Sequence, residues 1–144
     1  MNIFQLPYEA RLQSWYDLRI QLTSSDIQTQ CIEIDKWWQK APLVNHHLHI
    51  YDMGNWPDPW ELLVENTYCY VARALGMCYT LHMLGIDDFN MVEAIDNQGN
   101  EVVLVLVDNA KYILNYWPES VVNNSTKDFT IKKTIDVSNL LKKL

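Results

Sequence analysis

The hydrophobic pattern of the sequence changes at Gly85, and this change constrains the fold more than any other feature. From about residue 66 to residue 84, apolar side chains lie on nearly every side of a helix, which is typical of a central, buried helix. After Gly85 the pattern alternates with a period of two, which is typical of strands. We therefore expect an α+β fold in which a buried helix packs on a small antiparallel sheet.

The strands are predicted from short runs between turn signals. They cover residues 89–96, 101–107 and 111–117. The run from Val102 to Val107 is continuously apolar, so we expect the second strand to be covered on both faces. Residues 130–137 alternate weakly, and residues 138–144 predict a short final helix.

The first part of the chain predicts an antiparallel helical hairpin. Residues 7–23 and 27–40 form two amphipathic patterns, joined by the polar turn Ser24-Ser25-Asp26. The apolar stripe predicted for the first helix is Leu12, Trp15, Tyr16, Arg19 and Ile20.

A capping box predicts the next helix, after an irregular stretch at residues 43–57. Asp58 can cap the helix, Pro59 suits its first position, and Glu61 completes the box. This short helix should end near residue 64, before the long apolar helix begins.

Composition limits the class of protein. We expect a single domain of 144 residues, with a helical hairpin and loop (1–57), a core (58–122) and a C-terminal extension (123–144). The net charge of −7 argues against a nucleic-acid partner, since phosphate binding requires clustered cations. No apolar run approaches the roughly 20 residues that span a bilayer, so no membrane partner is expected. Three cysteines without C-x-x-C spacing favour a reduced, intracellular protein.

Cys69 is the candidate nucleophile. If the long helix begins at Asn66 or Thr67, Cys69 lies in its first turn, where unpaired backbone N–H groups and the helix dipole stabilise a thiolate. The alternative is that Cys69 is a small buried hydrophobic residue, the usual environment of a free cysteine. Cys31 and Cys78 belong to apolar stripes and are expected in the core.

The order of these elements resembles the core of the bacterial transglutaminase-like cysteine proteinases, within the wider papain-like fold. The resemblance covers roughly residues 58–122. It is carried by the cysteine that opens a helix, by Ala74-Leu75-Gly76 and Leu84-Gly85-Ile86, and by the three strands that follow. It implies a catalytic cysteine, a histidine on the next strand as general base, and an acidic residue one strand later that orients the histidine.

Carried onto this chain, the resemblance places the nucleophile at Cys69 and the orienting residue at Asn115. The base would fall near Glu101 or Val102, and neither residue is the histidine that the family needs. The expected site is therefore degenerate, with Cys69 and Asn115 as its catalytic candidates if the chain is active.

The histidines are the other candidate side chains. His82 lies 13 residues after Cys69 on the same predicted helix, about 20 Å away at 1.5 Å per residue, which excludes a direct contact. His46, His47 and His49 could fold over Cys69 or belong to an ordinary loop. In an extended segment His47 and His49 would share a face, a weak metal pattern because no third ligand follows at zinc-site spacing. We expect no cofactor.

Aromatic residues are abundant, with six tryptophans and eight tyrosines. Most are expected in the core, but the rigid Trp56-Pro57-Asp58-Pro59-Trp60 connector could present rings outward, as protein–protein contacts do. The predicted interface residues are Trp15, Tyr51, Trp56 and Trp60. Their partners would be other proteins, in particular the other subunits of an assembly.

The sequence predicts a non-catalytic structural or assembly protein that keeps a transglutaminase-like scaffold without its chemistry. Residues 6–12 and 56–63 resemble segments of small tailed-bacteriophage proteins, which implies a virion component synthesised inside the cell. One alternative is a cysteine peptidase or acyltransferase with Cys69 as nucleophile. Another is a soluble regulator that binds a host protein.

Overall fold

The computed structural model describes residues 2–44 and 48–144, in which most helices precede the strands. The helices are α1 (Tyr8–Leu22), α2 (Ile27–Trp38), α3 (Pro59–Glu65), α4 (Tyr70–Met83) and, near the end of the chain, α5 (Ser138–Leu141). The strands are β1 (Phe89–Asp96), β2 (Glu101–Val107), β3 (Tyr112–Leu114) and β4 (Phe129–Ile135). The predicted α+β class is confirmed.

One antiparallel sheet holds the four strands in the order β3-β2-β1-β4. β1 and β2 form a hairpin in which Phe89 pairs with Val107. β4 pairs with the other side of β1, where the register shifts between Glu93 and Ala94. The weak alternation of residues 130–137 therefore corresponds to an edge strand of the same sheet.

α1 and α2 form the predicted helical hairpin. Next to the connecting turn, the side-chain amide of Gln30 donates to the carbonyl of Leu22 at 2.9 Å. Farther from the turn, the Trp37 indole donates to the Ser14 hydroxyl at 3.1 Å. These two pairings require the helices to run in opposite directions.

α4 is the central helix, as predicted. Every residue from Val71 to Leu81 is buried. The Thr80 hydroxyl accepts the indole N–H groups of Trp15 and Trp38, each at 3.0 Å. It donates in turn to the carbonyl of Gly76 at 2.8 Å. One hydroxyl on α4 therefore ties α1 and α2 to the core. No helix in the described ranges, α4 included, is both long and apolar enough to cross a membrane.

The ring of Trp38 packs directly on Gly76. A Cβ atom at position 76 would lie 2.6 Å from the nearest ring carbons of Trp38, closer than such atoms approach in proteins. Glycine costs about 1 kcal/mol relative to alanine in the middle of a helix. The close approach of the indole ring explains why glycine occupies this position.

β2 is covered on both faces, as its continuous apolar run predicts. The side chains that join the main core are Val103, Val105 and Val107. Leu104 and Leu106 instead join a smaller cluster on the outer face of the sheet. The main core contains buried residues from Phe4 to Leu140, so all three predicted segments of the chain contribute to it.

α4 begins later than predicted, at Tyr70 rather than at Asn66 or Thr67. Asn66 takes a left-handed backbone conformation (φ 52°) that ends α3. Tyr68 then forms an isolated parallel bridge with Leu43. This pairing with a distant segment holds the chain extended and delays the start of the helix.

β3 is shorter than predicted and ends at Leu114 rather than at residue 117. Asn115 has a positive φ of 68°, which turns the chain out of the sheet. Asparagine is one of the few residues other than glycine that tolerate this conformation. Tyr116 and Trp117 consequently follow the turn and lie outside the strand.

Gly76→Ala should destabilise the fold. The added methyl group would have to displace the Trp38 ring, and such overpacking costs about 1–3 kcal/mol, against the ~1 kcal/mol that alanine gains as a helix former. Urea denaturation should therefore show a net loss of stability of up to about 2 kcal/mol. Gly54→Ala is the matched control, because no atom lies within 4 Å of a Cβ built there. Equal losses in the two variants would contradict the assigned packing.

Candidate functional site

Cys69 lies immediately before α4 and not in its first turn. It is the N-cap residue, with extended backbone angles (φ −124°, ψ −179°), and its side chain makes no capping hydrogen bond. Its carbonyl accepts the N–H of Arg73 at 3.0 Å, which begins the helix. The side chain is only 6% exposed and belongs to the main core. The predicted first-turn position is therefore wrong, because the later start of α4 leaves Cys69 ahead of it.

Asn115 is brought to the same corner of the molecule. Its side-chain amide donates to the carbonyl of Tyr70 at 3.0 Å and to that of Val103 at 2.9 Å. Tyr70 is the first residue of α4, so Asn115 lies beside the residue that follows Cys69. Both amide hydrogens are used, while the buried side-chain oxygen has no hydrogen-bond partner among the described residues.

The part of β2 at this corner carries no histidine. Val103, whose carbonyl meets Asn115, is buried in the main core. Val102 packs in the cluster on the outer face of the sheet, away from α4. Glu101 is exposed, and its carboxylate lies 3.6 Å from the ammonium group of Lys132 on β4. At this corner β2 therefore supplies the apolar side chain of Val103, close to where the resemblance expects a histidine as general base.

A chain of buried polar groups, the Asp35 relay, runs from Asn115 to α2 and α4. The backbone N–H of Asn115 donates to Asp35 Oδ1 at 2.8 Å. The amide nitrogen of Gln39 donates to the same oxygen at 3.4 Å, and the Gln39 oxygen accepts from the Arg73 guanidinium. Asp35, Arg73 and Asn115 are all buried. The relay thus joins α2, α4 and the end of β3.

Burial dominates the electrostatics of the Asp35 relay. It raises the pKa of the Asp35 carboxyl, against the hydrogen bonds from Asn115 and Gln39 and the positive charge of Arg73. Burial also lowers the pKa of the Arg73 guanidinium, against the negative charge of Asp35. Each charged group therefore depends on the other, and removal of one would leave an uncompensated buried charge.

The histidines with described positions lie away from Cys69 or at the surface. His82 is in the last turn of α4, at the opposite end from Cys69. His49 is exposed and precedes the 3-10 turn Ile50–Asn55. Within residues 2–44 and 48–144, no three His, Cys, Asp or Glu side chains are grouped to hold a metal ion. His46 and His47 lie outside the described residues, so their approach to Cys69 and the weak His47–His49 metal pattern stay predictions.

Two of the four predicted interface residues are core residues of this chain. Trp15 is fully buried, and Trp56 nearly so. Trp56 also donates its indole N–H to the carbonyl of His49 at 2.9 Å. Trp60 is 39% exposed, with its ring centroid 6.3 Å from that of Trp15. The side chain of Tyr51 lies outside the described part of the structure. Of the predicted interface residues whose side chains are described, Trp60 is therefore the one that reaches the surface.

Large apolar side chains are exposed on both α3 and α1. We call them the α1–α3 surface, and they are Tyr16, Ile20, Trp60 and Val64. The two helices meet beside them, since the ring of Trp60 contacts the buried ring of Trp15 edge-on. The Arg19 guanidinium lies 4.1 Å from the ring of Trp15 and 5.6 Å from that of Tyr16, in cation–π contact.

Tyr16 and Ile20, two residues of the apolar stripe predicted for α1, are exposed. The positions of α1 that are buried are Arg11, Trp15, Leu18 and Leu22. Because α1 carries apolar residues on a second face as well, its sequence alone does not identify which face is inside. The buried pair 11/15 and the exposed pair 16/20 share a spacing of four residues, so this spacing does not distinguish the two faces of α1.

Asn115→Ala should lower the free energy of unfolding by about 2–4 kcal/mol, because the carbonyls of Tyr70 and Val103 lose their donor and alanine is strained at positive φ. Asn109→Ala is the matched control: Asn109 also has a positive φ (56°) but is exposed in a turn. We expect a loss of only about 1 kcal/mol there. Urea titrations of both variants measure the difference, and similar losses would show that the amide of Asn115 contributes nothing.

Comparison with known proteins does not assign the chain to a family. No protein-family model matches the sequence, and no curated protein matches it. The resemblance to transglutaminase-like enzymes therefore depends on the residues of this chain alone.

Proposed function

We propose that this chain is a non-catalytic structural or assembly protein, on a scaffold that resembles the transglutaminase-like cysteine enzymes. One observation carries the proposal. Asn115, at the position of the orienting residue, donates both of its amide hydrogens to backbone carbonyls, those of Tyr70 and Val103. In a working triad the orienting residue holds a histidine that reaches the nucleophile. Here it bonds directly to the start of the nucleophile's helix, and a buried valine faces the same corner.

The α1–α3 surface supports a protein partner. Aromatic and arginine side chains at an exposed apolar surface are the residues that anchor protein contacts. The Arg19 guanidinium, in cation–π contact with Trp15 and Tyr16, adds to this surface. We infer a partner whose contact surface is apolar.

The resemblance to small tailed-bacteriophage proteins suggests that the partners are other subunits of a virion. A virion component would co-purify with particles in a fixed copy number. A soluble regulator of a host protein would instead stay in the fraction without particles. Quantitative mass spectrometry of purified particles distinguishes the two functions.

Trp60→Ala and Ile20→Lys should each reduce incorporation into the assembly by about tenfold or more, because both remove apolar contact area from the α1–α3 surface. Trp117→Ala is the matched control, since it removes an exposed tryptophan elsewhere on the chain. Co-sedimentation of tagged variants measures incorporation, and thermal unfolding checks that each variant folds. Normal incorporation of both folded variants would exclude this surface as the contact.

A cysteine enzyme is the second candidate, and the path of the chain favours it. Val44 donates its N–H to the carbonyl of Tyr68 at 2.7 Å, beside the bridge between Leu43 and Tyr68. The segment that leads to the 46–49 histidines therefore runs next to the residue that precedes Cys69. A base from this loop would replace the histidine that β2 lacks.

Iodoacetamide labelling of the folded protein at pH 7, followed by peptide mapping, separates the two candidates. If the chain is non-catalytic, Cys69 should react as slowly as Cys31, whose thiol pKa burial raises to about 12. An active enzyme would label at Cys69 about tenfold faster or more, and His46→Ala or His47→Ala would slow that labelling. This outcome would overturn the non-catalytic proposal.

A further inference from the structure

A groove lies on the outer face of the sheet, on the side away from α4. Its volume is about 410 Å³, within the range of small-molecule sites. Ile113 and Phe129, which belong to the small outer cluster, are part of its lining. The β1–β2 turn and the segment that follows β3 supply the rest of its walls.

Aromatic rings form one wall of this groove. Trp117 is 61% exposed, the highest value among the large hydrophobic residues described as exposed. Its ring centroid lies 5.3 Å from that of Tyr116, with a tilt of 40°. Tyr116 in turn meets Phe129 edge-on at 6.5 Å. Trp117 is thus supported from the protein side and offers ring surface to solvent instead of joining either core cluster.

The remaining lining is polar and carries no positive charge. Four side-chain amides line the groove, those of Asn97, Gln98, Asn123 and Asn124. The amide nitrogen of Asn124 already donates to backbone carbonyls of the chain. The charged groups among the described lining residues are two carboxylates, Asp96 and Asp128. Asp96 Oδ1 is engaged within the turn, where it accepts the backbone N–H groups of Gln98 and Asn100 at 2.9 Å each.

Hydrogen bonds hold the walls of the groove in place. The backbone N–H of Asn97 donates to the carbonyl of Asp128 at 3.1 Å, and its side chain donates to that of Lys127 at 3.2 Å. The Asn124 amide donates to the carbonyl of Lys111 at 3.0 Å. The β1–β2 turn is therefore tied to the segment before β4, and the groove is pre-formed.

We propose that this groove binds a neutral carbohydrate, with a sugar ring stacked on Trp117. The hydroxyl groups of the sugar hydrogen-bond to the amides of Asn97, Gln98 and Asn123. A sugar ring has an apolar C–H face, which suits the aromatic wall of the groove. It also has a rim of hydroxyl groups, which suits the polar amides. The two carboxylates and the absence of lysine or arginine from the described lining disfavour phosphorylated and carboxylated ligands. The site shares no residue with the α1–α3 surface.

NMR of the ¹⁵N-labelled chain tests the proposal, because each of the six tryptophans gives a separate indole N–H signal. Maltotriose, cellotriose, triacetylchitotriose and a panel of neutral glycans are titrated in turn. At least one glycan should shift the indole signal that disappears in Trp117→Ala. Trp117→Ala should weaken binding of that glycan by about tenfold or more, and Gln98→Ala by a smaller factor.

Trp60→Ala is the matched control and should bind the glycan like the unaltered chain, since Trp60 is an exposed tryptophan away from the groove. The proposal is overturned if no neutral glycan shifts the Trp117 signal, or if Trp117→Ala binds as tightly as the unaltered chain. It is also overturned if the groove responds only to a peptide or to an anionic sugar.

Discussion

The packing of two tryptophans on one face of α4 is the contact on which the rest of the structure depends. Trp38 lies against Gly76, and the Thr80 hydroxyl accepts the indole N–H groups of both Trp15 and Trp38. A buried donor without a partner costs about 1–3 kcal/mol, so one threonine satisfies two such groups at once. Because this contact fixes α2 on α4, the Asp35 side chain is held where it can meet the end of β3.

Local signals in the sequence predict much of the fold. The capping box at Asp58 and Glu61 is present, and Gly85 takes the positive φ (83°) that follows a helix. The boundaries that differ depend on contacts between distant segments. The bridge from Tyr68 to Leu43 delays α4, and no local pattern around residue 68 indicates it.

The candidate site was predictable only in part, for a similar reason. The resemblance indicated Cys69 and Asn115 and implied a histidine on the next strand, near positions where this sequence has Glu101 and Val102. The Asp35 relay was not visible, because its hydrogen bond between Asp35 and Asn115 joins residues 80 positions apart. A single aspartate in an amphipathic helix indicates solvent exposure rather than a buried network. The groove beside Trp117 likewise assembles from two turns that are far apart in the sequence.

Asn115 links the α4 side of the sheet to its outer face. Its side chain holds the start of α4, while its left-handed backbone sends Tyr116 and Trp117 toward the outer groove. Few residues could satisfy both this backbone angle and the carbonyls of Tyr70 and Val103. An asparagine at this position therefore follows from the architecture and is not by itself a sign of catalysis.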